Sequence, residues 1–357
     1  MKTAIIGLPM TGKTSLFTIL TGVHQDTRIG STAARMGVAR VPDPRLDEVA
    51  RVFEPPKVTH ATVEYVDMPP VSKESLRDPG YVASLRVVDA FAHVLRLFED
   101  DTIPHERGSI DPVRDLEDVE MELVLSDLVV VEKRLERLEK DRKKIKDPEL
   151  DHEFELLEKC RAALEENQPL RQLEIGAGEE KRIRGFQFLS RKPMLYVLNL
   201  GENEAGKLHQ REREYRQGPL AGRQHTAVTA VCGKIEAELA ELPPEEQRDY
   251  LASYGLEESG LERLIAATYA LLGLMSFLTA SETEARAWTV PRNSTALKAA
   301  GAVHSDFEKK FIRAEVINWK SLVDLGGYAA AREKGQLRLE GKEYIVKDGD
   351  VLLIRHG

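Results

Sequence analysis

Residues 7–15 read GLPMTGKTS and satisfy the spacing G-x-x-x-x-G-K-[ST], with Gly7, Gly12, Lys13 and Thr14 at the required places. The chemistry this pattern serves is phosphate binding. Glycines let backbone N–H groups turn inward around a β-phosphate, and the helix that follows adds the positive end of its dipole. Lys13 would reach the β/γ oxygens and Thr14 would offer a hydroxyl to Mg²⁺. Met10, Thr11 and Ser15 complete the loop and the first helical turn as candidate nucleotide-binding residues. A buried strand before the loop (KTAII, 2–6) and a helix from about Lys13 are the context the motif requires.

A second candidate lies in YVDMPP (65–70). In P-loop switch proteins an aspartate at the end of a strand serves Mg²⁺, and the glycine three residues later donates its N–H to the γ-phosphate. Asp67 is the acid, but the later position is Pro70, which has no N–H. A lost hydrogen bond to a charged oxygen is worth about 1.5–3 kcal/mol. Discrimination between tri- and diphosphate should therefore be blunted while diphosphate binding survives, unless the prolines only pre-shape a loop whose donors come from elsewhere.

The elements that must position these residues are visible as short apolar runs. Strands are predicted at 60–67, 90–98, 193–200 and 226–232, with helical patterns between them, as in a parallel α/β sheet. Residues 111–190 interrupt that alternation. Asp111-Pro112 and Asp147-Pro148 each place an N-cap acid before a proline at the first helical position. Leu128, Leu135, Leu138 and Ile145, and then Leu150, Phe154, Leu157 and Leu164, form apolar stripes at heptad-like spacing. An antiparallel helical hairpin follows, its first helix about 35 residues or roughly 50 Å long. Beyond about residue 275, strand-like segments with a short helix at 294–300 and a turn at Glu340-Gly341 fit a β-grasp module. The predicted fold class is α/β: a P-loop NTPase domain with a mostly parallel sheet (1–110 and 191–275), an inserted helical arm (111–190) and a C-terminal β-grasp domain (276–357).

Composition is that of an ordinary globular protein, with 42% hydrophobic and 31% charged residues among 357. Cys160 and Cys232 show neither a metal nor a disulfide pattern, and no stretch has the length of a membrane span, so a cytoplasmic protein without a membrane partner is expected. Net charge is −9, so nucleic acid could be engaged only through a local patch. KRLERLEKDRKKIK (133–146), with eight basic and three acidic residues, is such a patch at the far end of the arm, although Glu136–Lys140 could equally be an ordinary i,i+4 pair on a solvated face.

Several blocks resemble the YchF family, the Obg-like P-loop ATPases with a C-terminal TGS domain, over essentially the whole chain. They include GLPMTGKTSLF, MGVARVPDPRLDEVA, LSDLVVVEKRLERLEK, CGKIEAELAEL, RAWTV, AAGAVHSDFEKKFIRAEVI and LRLEGKEYIVKDGDV. The resemblance implies ATP binding and slow hydrolysis with Mg²⁺, nucleotide state adjusting ribosome binding, and a ribosomal contact (rRNA or ribosomal protein) through arm and TGS domain. A monomer is expected.

Where GTPases carry Asn-Lys-x-Asp, this chain has Asn199-Leu200-Gly201-Glu202. Family members have Asn-x-x-Glu, and the resemblance favours ATP over GTP. Cys232, Gly233 and Lys234 match the second base-contacting loop. The family's threonine on Mg²⁺ in the first switch aligns with Ser31, with Thr32 as the alternative. The family reads approximately Asp-Ile-Ala-Gly where this chain has Asp-Met-Pro-Pro. Its catalytic candidate, a loop histidine, is matched by His105, whose imidazole could orient or deprotonate water. Two other readings stay open: a hydrolysis-impaired nucleotide-binding module that interacts with the ribosome or RNA, and a GTPase.

Overall fold

The computed structural model describes residues 1–23, 34–105 and 107–357. The chain forms two compact units, residues 1–37 with 64–267, and residues 38–63 with 268–357.

Strands β1 (Lys2–Ile6), β2 (Arg35–Arg40) and, after a two-residue β3 (Val58–Thr59) belonging to the other sheet, β4 (Thr62–Asp67), β5 (Ala90–Arg96), β6 (Met194–Asn199) and β7 (Thr226–Val231) make six strands in the order β2-β4-β1-β5-β6-β7. The pairs β1/β4, β1/β5, β5/β6 and β6/β7 are all parallel. Every residue of β5 and β6 is buried, which is why both segments read as mostly apolar runs, broken only by His93, Arg96 and Asn199. Parallel strands bring their carboxyl ends to one edge. Gly7, Asp67, Asn199 and Cys232 end or directly follow β1, β4, β6 and β7, at the edge where open α/β sheets bind ligands.

Helix α1 (Lys13–Thr21) follows the phosphate loop. The Asp-Pro device recognised twice in the sequence starts four consecutive helices: α2 (Pro44–Phe53), α3 (Pro79–Arg86), α4 (Pro112–Arg142) and α5 (Pro148–Glu165). In each, the aspartate accepts a backbone N–H of the first turn and the proline stands where a donor would be orphaned. Helices α4 and α5 make the predicted hairpin. Val131, Leu135 and Leu138 share a core with Leu156, Leu157, Cys160 and Leu164, all at most 3% exposed. The first helix is 31 residues, shorter than predicted, because it ends at Arg142; Ile145 therefore leaves the stripe and is 59% exposed.

Buried polar groups tie the base of the arm to the sheet. Glu120 of α4 takes both the Arg171 guanidinium and the Tyr196 hydroxyl of β6. Asp127 accepts the backbone N–H groups of Leu189 at 2.9 Å and Ser190 at 2.7 Å. Burial pushes the Asp127 carboxyl up to about 6 despite those two donors.

In the second unit β8 (Leu274–Ala280), β9 (Ala285–Pro291), β10 (Phe311–Asn318), β11 (Arg338–Glu340) and β12 (Asp350–His356) join β3 in the order β11-β10-β12-β8-β9-β3. The sheet is mixed: β8 pairs antiparallel with β9 and parallel with β12. The short helix is Ala296–Val303, capped by Thr295 and packed on Phe277 and Val290. Residues 38–63, which the sequence placed in the nucleotide domain, group with this unit. Val58 and Thr59 pair with Ala285 and Arg286, and Arg45 reaches both Asp43 (2.8 Å) and Asp348 (3.2 Å). Among the described residues no helix is long and apolar enough to cross a membrane.

Candidate nucleotide site

The loop after β1 is shaped by residues with positive φ: Gly7 at +144°, Met10 at +58° and Gly12 at +92°. A side chain at Gly7 would place its Cβ 2.7 Å from the Val94 carbonyl oxygen, and one at Gly12 would lie 2.5 Å from Asn199 Nδ2. Both positions therefore demand glycine for space as well as for φ. Within the loop Thr11 Oγ1 donates to the Leu8 carbonyl at 3.2 Å and Lys13 Nζ to the same oxygen at 2.5 Å. Lys13 is 6% exposed, Met10 stands out at 62% exposed, and Ser15 is exposed on the first turn of α1. Beneath the loop His93 is fully buried, with neither ring nitrogen partnered among the described residues. Burial, reinforced by Lys13 and Arg171, pushes its pKa down to about 3 and keeps the ring neutral.

At the end of β4, Thr14 Oγ1 donates to Asp67 Oδ2 at 2.9 Å, so the two residues proposed for Mg²⁺ converge as the sequence requires. The other carboxylate oxygen, Asp67 Oδ1, is buried without a hydrogen-bond partner among the described residues. A hydroxyl and a carboxylate with an unused oxygen form a hard donor set that fits Mg²⁺. Ser31 and Thr32 lie outside the described residues. A third group, which the sequence did not reveal, joins Asp67 and Thr14. Arg35 Nη2 pairs with Asp67 Oδ2 and lies 3.4 Å from Thr14 Oγ1, its guanidinium over the Phe17 ring. Its only sequence signal is a lone arginine between the first-switch stretch and Gly37.

The two prolines sit between buried anchors. Met68 and Val71 are both 2% exposed in the sheet core. Met68 N–H donates to the Ile5 carbonyl and Val71 N–H to the Gly7 carbonyl, each at 3.2 Å, while the Pro69 carbonyl accepts from Tyr81 Oη at 2.9 Å. The first donor after the prolines is thus engaged by the phosphate loop itself.

The base-side candidates divide. Asn199 Nδ2 donates to the Thr11 carbonyl and its Oδ1 accepts the Gly233 N–H, each at 3.0 Å. Its amide joins the phosphate loop to the 232–234 loop. Leu200, which stands where GTPases carry the lysine, is 2% exposed in the sheet core, because it continues the buried run of β6. Cys232 is 1% exposed, caps the helix Gly233–Glu241, and its thiol is pushed up by burial. Glu202 and Lys234 form an ion pair with each other at the surface.

His105 is held away from solvent. Its Nε2 lies 2.8 Å from Asp115 Oδ2 and its Nδ1 accepts the Arg107 N–H at 3.2 Å, so both ring nitrogens are engaged with the start of α4 and its preceding loop. Arg96, at the end of β5 and missed in the sequence, gathers the carbonyls of Phe98 (3.2 Å) and Ile103 (2.9 Å) and fixes the loop that carries His105. At the tip of the arm, Arg134 pairs with Glu153 and Arg142 with Asp151. The expected Glu136–Lys140 pair does not form among the described residues, and Lys133, Arg137, Lys140, Lys143, Lys144 and Lys146 have no ion-pair partner there.

Comparison with known proteins agrees with this architecture. The family model YchF-GTPase_C, described as "Protein of unknown function (DUF933)", matches residues 274–357. The chain is 39% identical to "Ribosome-binding ATPase YchF" of Bacillus subtilis over 99% of both chains. It is 41% identical to the protein of the same name from Haemophilus ducreyi, over 99% of this chain and 98% of that one. The solved "Structure of the Schizosaccharomyces pombe YchF GTPase" superposes with a TM-score of 0.83 at 26% identity, covering 99% of this chain and 97% of that one. The likeness runs along essentially the full length of the chain, and the chain belongs to the YchF family.

Proposed function

We propose that this protein binds ATP with Mg²⁺ and hydrolyses it slowly, using the bound state to adjust its association with the ribosome. The observation that carries the proposal is the convergence of Lys13, Thr14 and Asp67 at the carboxyl edge of a parallel sheet. In this site the loop N–H groups and Lys13 would hold the β/γ-phosphates, and Thr14 with Asp67 would hold Mg²⁺, which would supply positive charge to the phosphate oxygens. Glu202 supplies an acceptor for the adenine amino group, and Lys234 is its present partner. His105 can act on water only after leaving Asp115, so its catalytic role requires the loop before α4 to rearrange. The ribosome is named for the relatives. In this chain the six unpaired basic side chains near the arm tip and the C-terminal unit, read as a TGS domain, supply the surface for rRNA or ribosomal protein. Such a role places a monomeric protein in the cytoplasm.

Single-turnover hydrolysis of labelled ATP with protein in excess tests the proposal. Phosphate release is expected from the wild type and should vanish in Lys13→Ala. A second reading, a nucleotide-binding module without turnover, draws on Pro69-Pro70 and on the engagement of Val71 N–H by Gly7. ATP that is bound but left uncleaved, even with ribosomes present, selects that reading over the first.

A further inference from the structure

Arg35 brings a fixed positive charge to the two oxygens that the nucleotide reading assigns to Mg²⁺. Its Nη2 is bonded to Asp67 Oδ2 and lies 3.4 Å from Thr14 Oγ1. The pair is shielded: the Asp67 side chain is 5% exposed and that of Arg35 is 25% exposed. Two further atoms are left over. Arg35 Nη1 and Asp67 Oδ1 are both buried without a hydrogen-bond partner among the described residues. An unsatisfied guanidinium nitrogen beside a phosphate loop is a donor that a phosphate oxygen would complete, and guanidinium matches phosphate geometry in two-pronged fashion.

We propose that Arg35 is a built-in cation of the nucleotide site, which shares Thr14 and Asp67 with the divalent ion and makes nucleotide binding only weakly dependent on that ion. Two effects act in the same direction. A divalent ion must displace the guanidinium from Asp67, so it adds less affinity than it would to a free carboxylate. Without the ion, the guanidinium still neutralises part of the diphosphate charge. This inference rests on the nucleotide-binding reading but not on hydrolysis.

The test is calorimetric titration of the full-length protein with ADP, in Mg²⁺ and in EDTA, for wild type and Arg35→Met. Methionine retains an apolar stem over Phe17 while removing the charge. Removing Mg²⁺ is expected to cost the variant on the order of tenfold to a hundredfold more affinity than it costs the wild type, the equivalent of one charge-assisted hydrogen bond. Arg35→Gln repeats the comparison with a polar side chain and should behave like Arg35→Met. Equal loss of affinity in wild type and both variants overturns the role of Arg35 while leaving the nucleotide reading standing. Folded wild-type protein that binds ADP in neither buffer overturns both.

Discussion

The two ends of the nucleotide site are built differently. At the base end, the Asn199 amide is shared between the Thr11 carbonyl and the Gly233 N–H, and Glu202 is paired with Lys234. At the phosphate end, Asp67 Oδ1 and Arg35 Nη1 are buried with bonding capacity unused among the described residues. Leaving buried polar atoms unsatisfied costs about 1–3 kcal/mol each. A ligand that completes them recovers that cost, whereas a ligand at the base end must first break an existing pair. The contrast teaches that affinity should arise from the phosphates and that base selectivity should be shallow.

The sharpest way to break this comparison is Gly12→Ala. The new Cβ would stand 2.5 Å from Asn199 Nδ2 at a φ of +92°. Strain of about 1–3 kcal/mol and displacement of Asn199 should lower nucleotide affinity roughly tenfold to a thousandfold by calorimetry. Wild-type affinity in this variant would mean that the phosphate loop is not the main source of binding.

Asn199→Ala comes next. It orphans the Gly233 N–H and the Thr11 carbonyl, so chemical denaturation should show a loss of about 2–4 kcal/mol. Affinities for ATP and GTP should fall by the same factor. A change in their ratio would return Asn199 to base reading.

His93→Leu probes the floor beneath the phosphate end. The native ring has a pKa near 3, against 6.5 for an ordinary histidine, so between these values the unfolded chain binds the extra proton. The contribution of His93 to stability is therefore complete above about 6.5 and is lost as pH falls towards 3. Denaturation midpoints of His93→Leu should decline less steeply than wild type over that window, and parallel curves would contradict the assignment. Asp127 works in the opposite sense. Its pKa is raised to about 6, so its ionisation lowers stability as pH rises from about 4 to 6, which is why the comparison must be made between variants and not read from the wild type alone.

Glu202→Gln is the gentlest change. Glutamine keeps an acceptor but loses the charge that holds Lys234, and the ratio of ATP to GTP affinity should move by only a few-fold, within about 1 kcal/mol for an exposed pair. A shift of a hundredfold or more would show that base selectivity is deep after all.

The phosphate loop was legible because its glycines obey a backbone rule that needs no tertiary information: Gly7 and Gly12 do adopt positive φ. The arm was legible for the same reason, since Asp-Pro caps and apolar stripes are local signals. Strand β8 was not. The run from Leu264 to Ala280 is apolar through both the helix Gly260–Leu271 and β8, and only Gly273, at φ +62°, separates them. The membership of residues 38–63 in the second unit was equally hidden, because Val58 finds Ala285 more than two hundred positions away. At the site, Asn199 ends β6 and Leu200 directly follows it; both are buried, and that one bonds the two loops while the other packs in the sheet core is set by tertiary neighbours that the sequence does not show. Arg35 was not legible because a lone arginine carries no spacing, and its meaning comes only from Asp67 and Thr14 beside it.

The proline pair also decides what amide hydrogen exchange can report. Residues 69 and 70 have no exchangeable backbone proton, so that technique is blind at the two positions following Met68. The Val71 amide is the first proton beyond them, and it is donated to the Gly7 carbonyl at the root of the phosphate loop. Its exchange rate is therefore a single-site gauge of whether that loop and the segment after Asp67 are joined or apart.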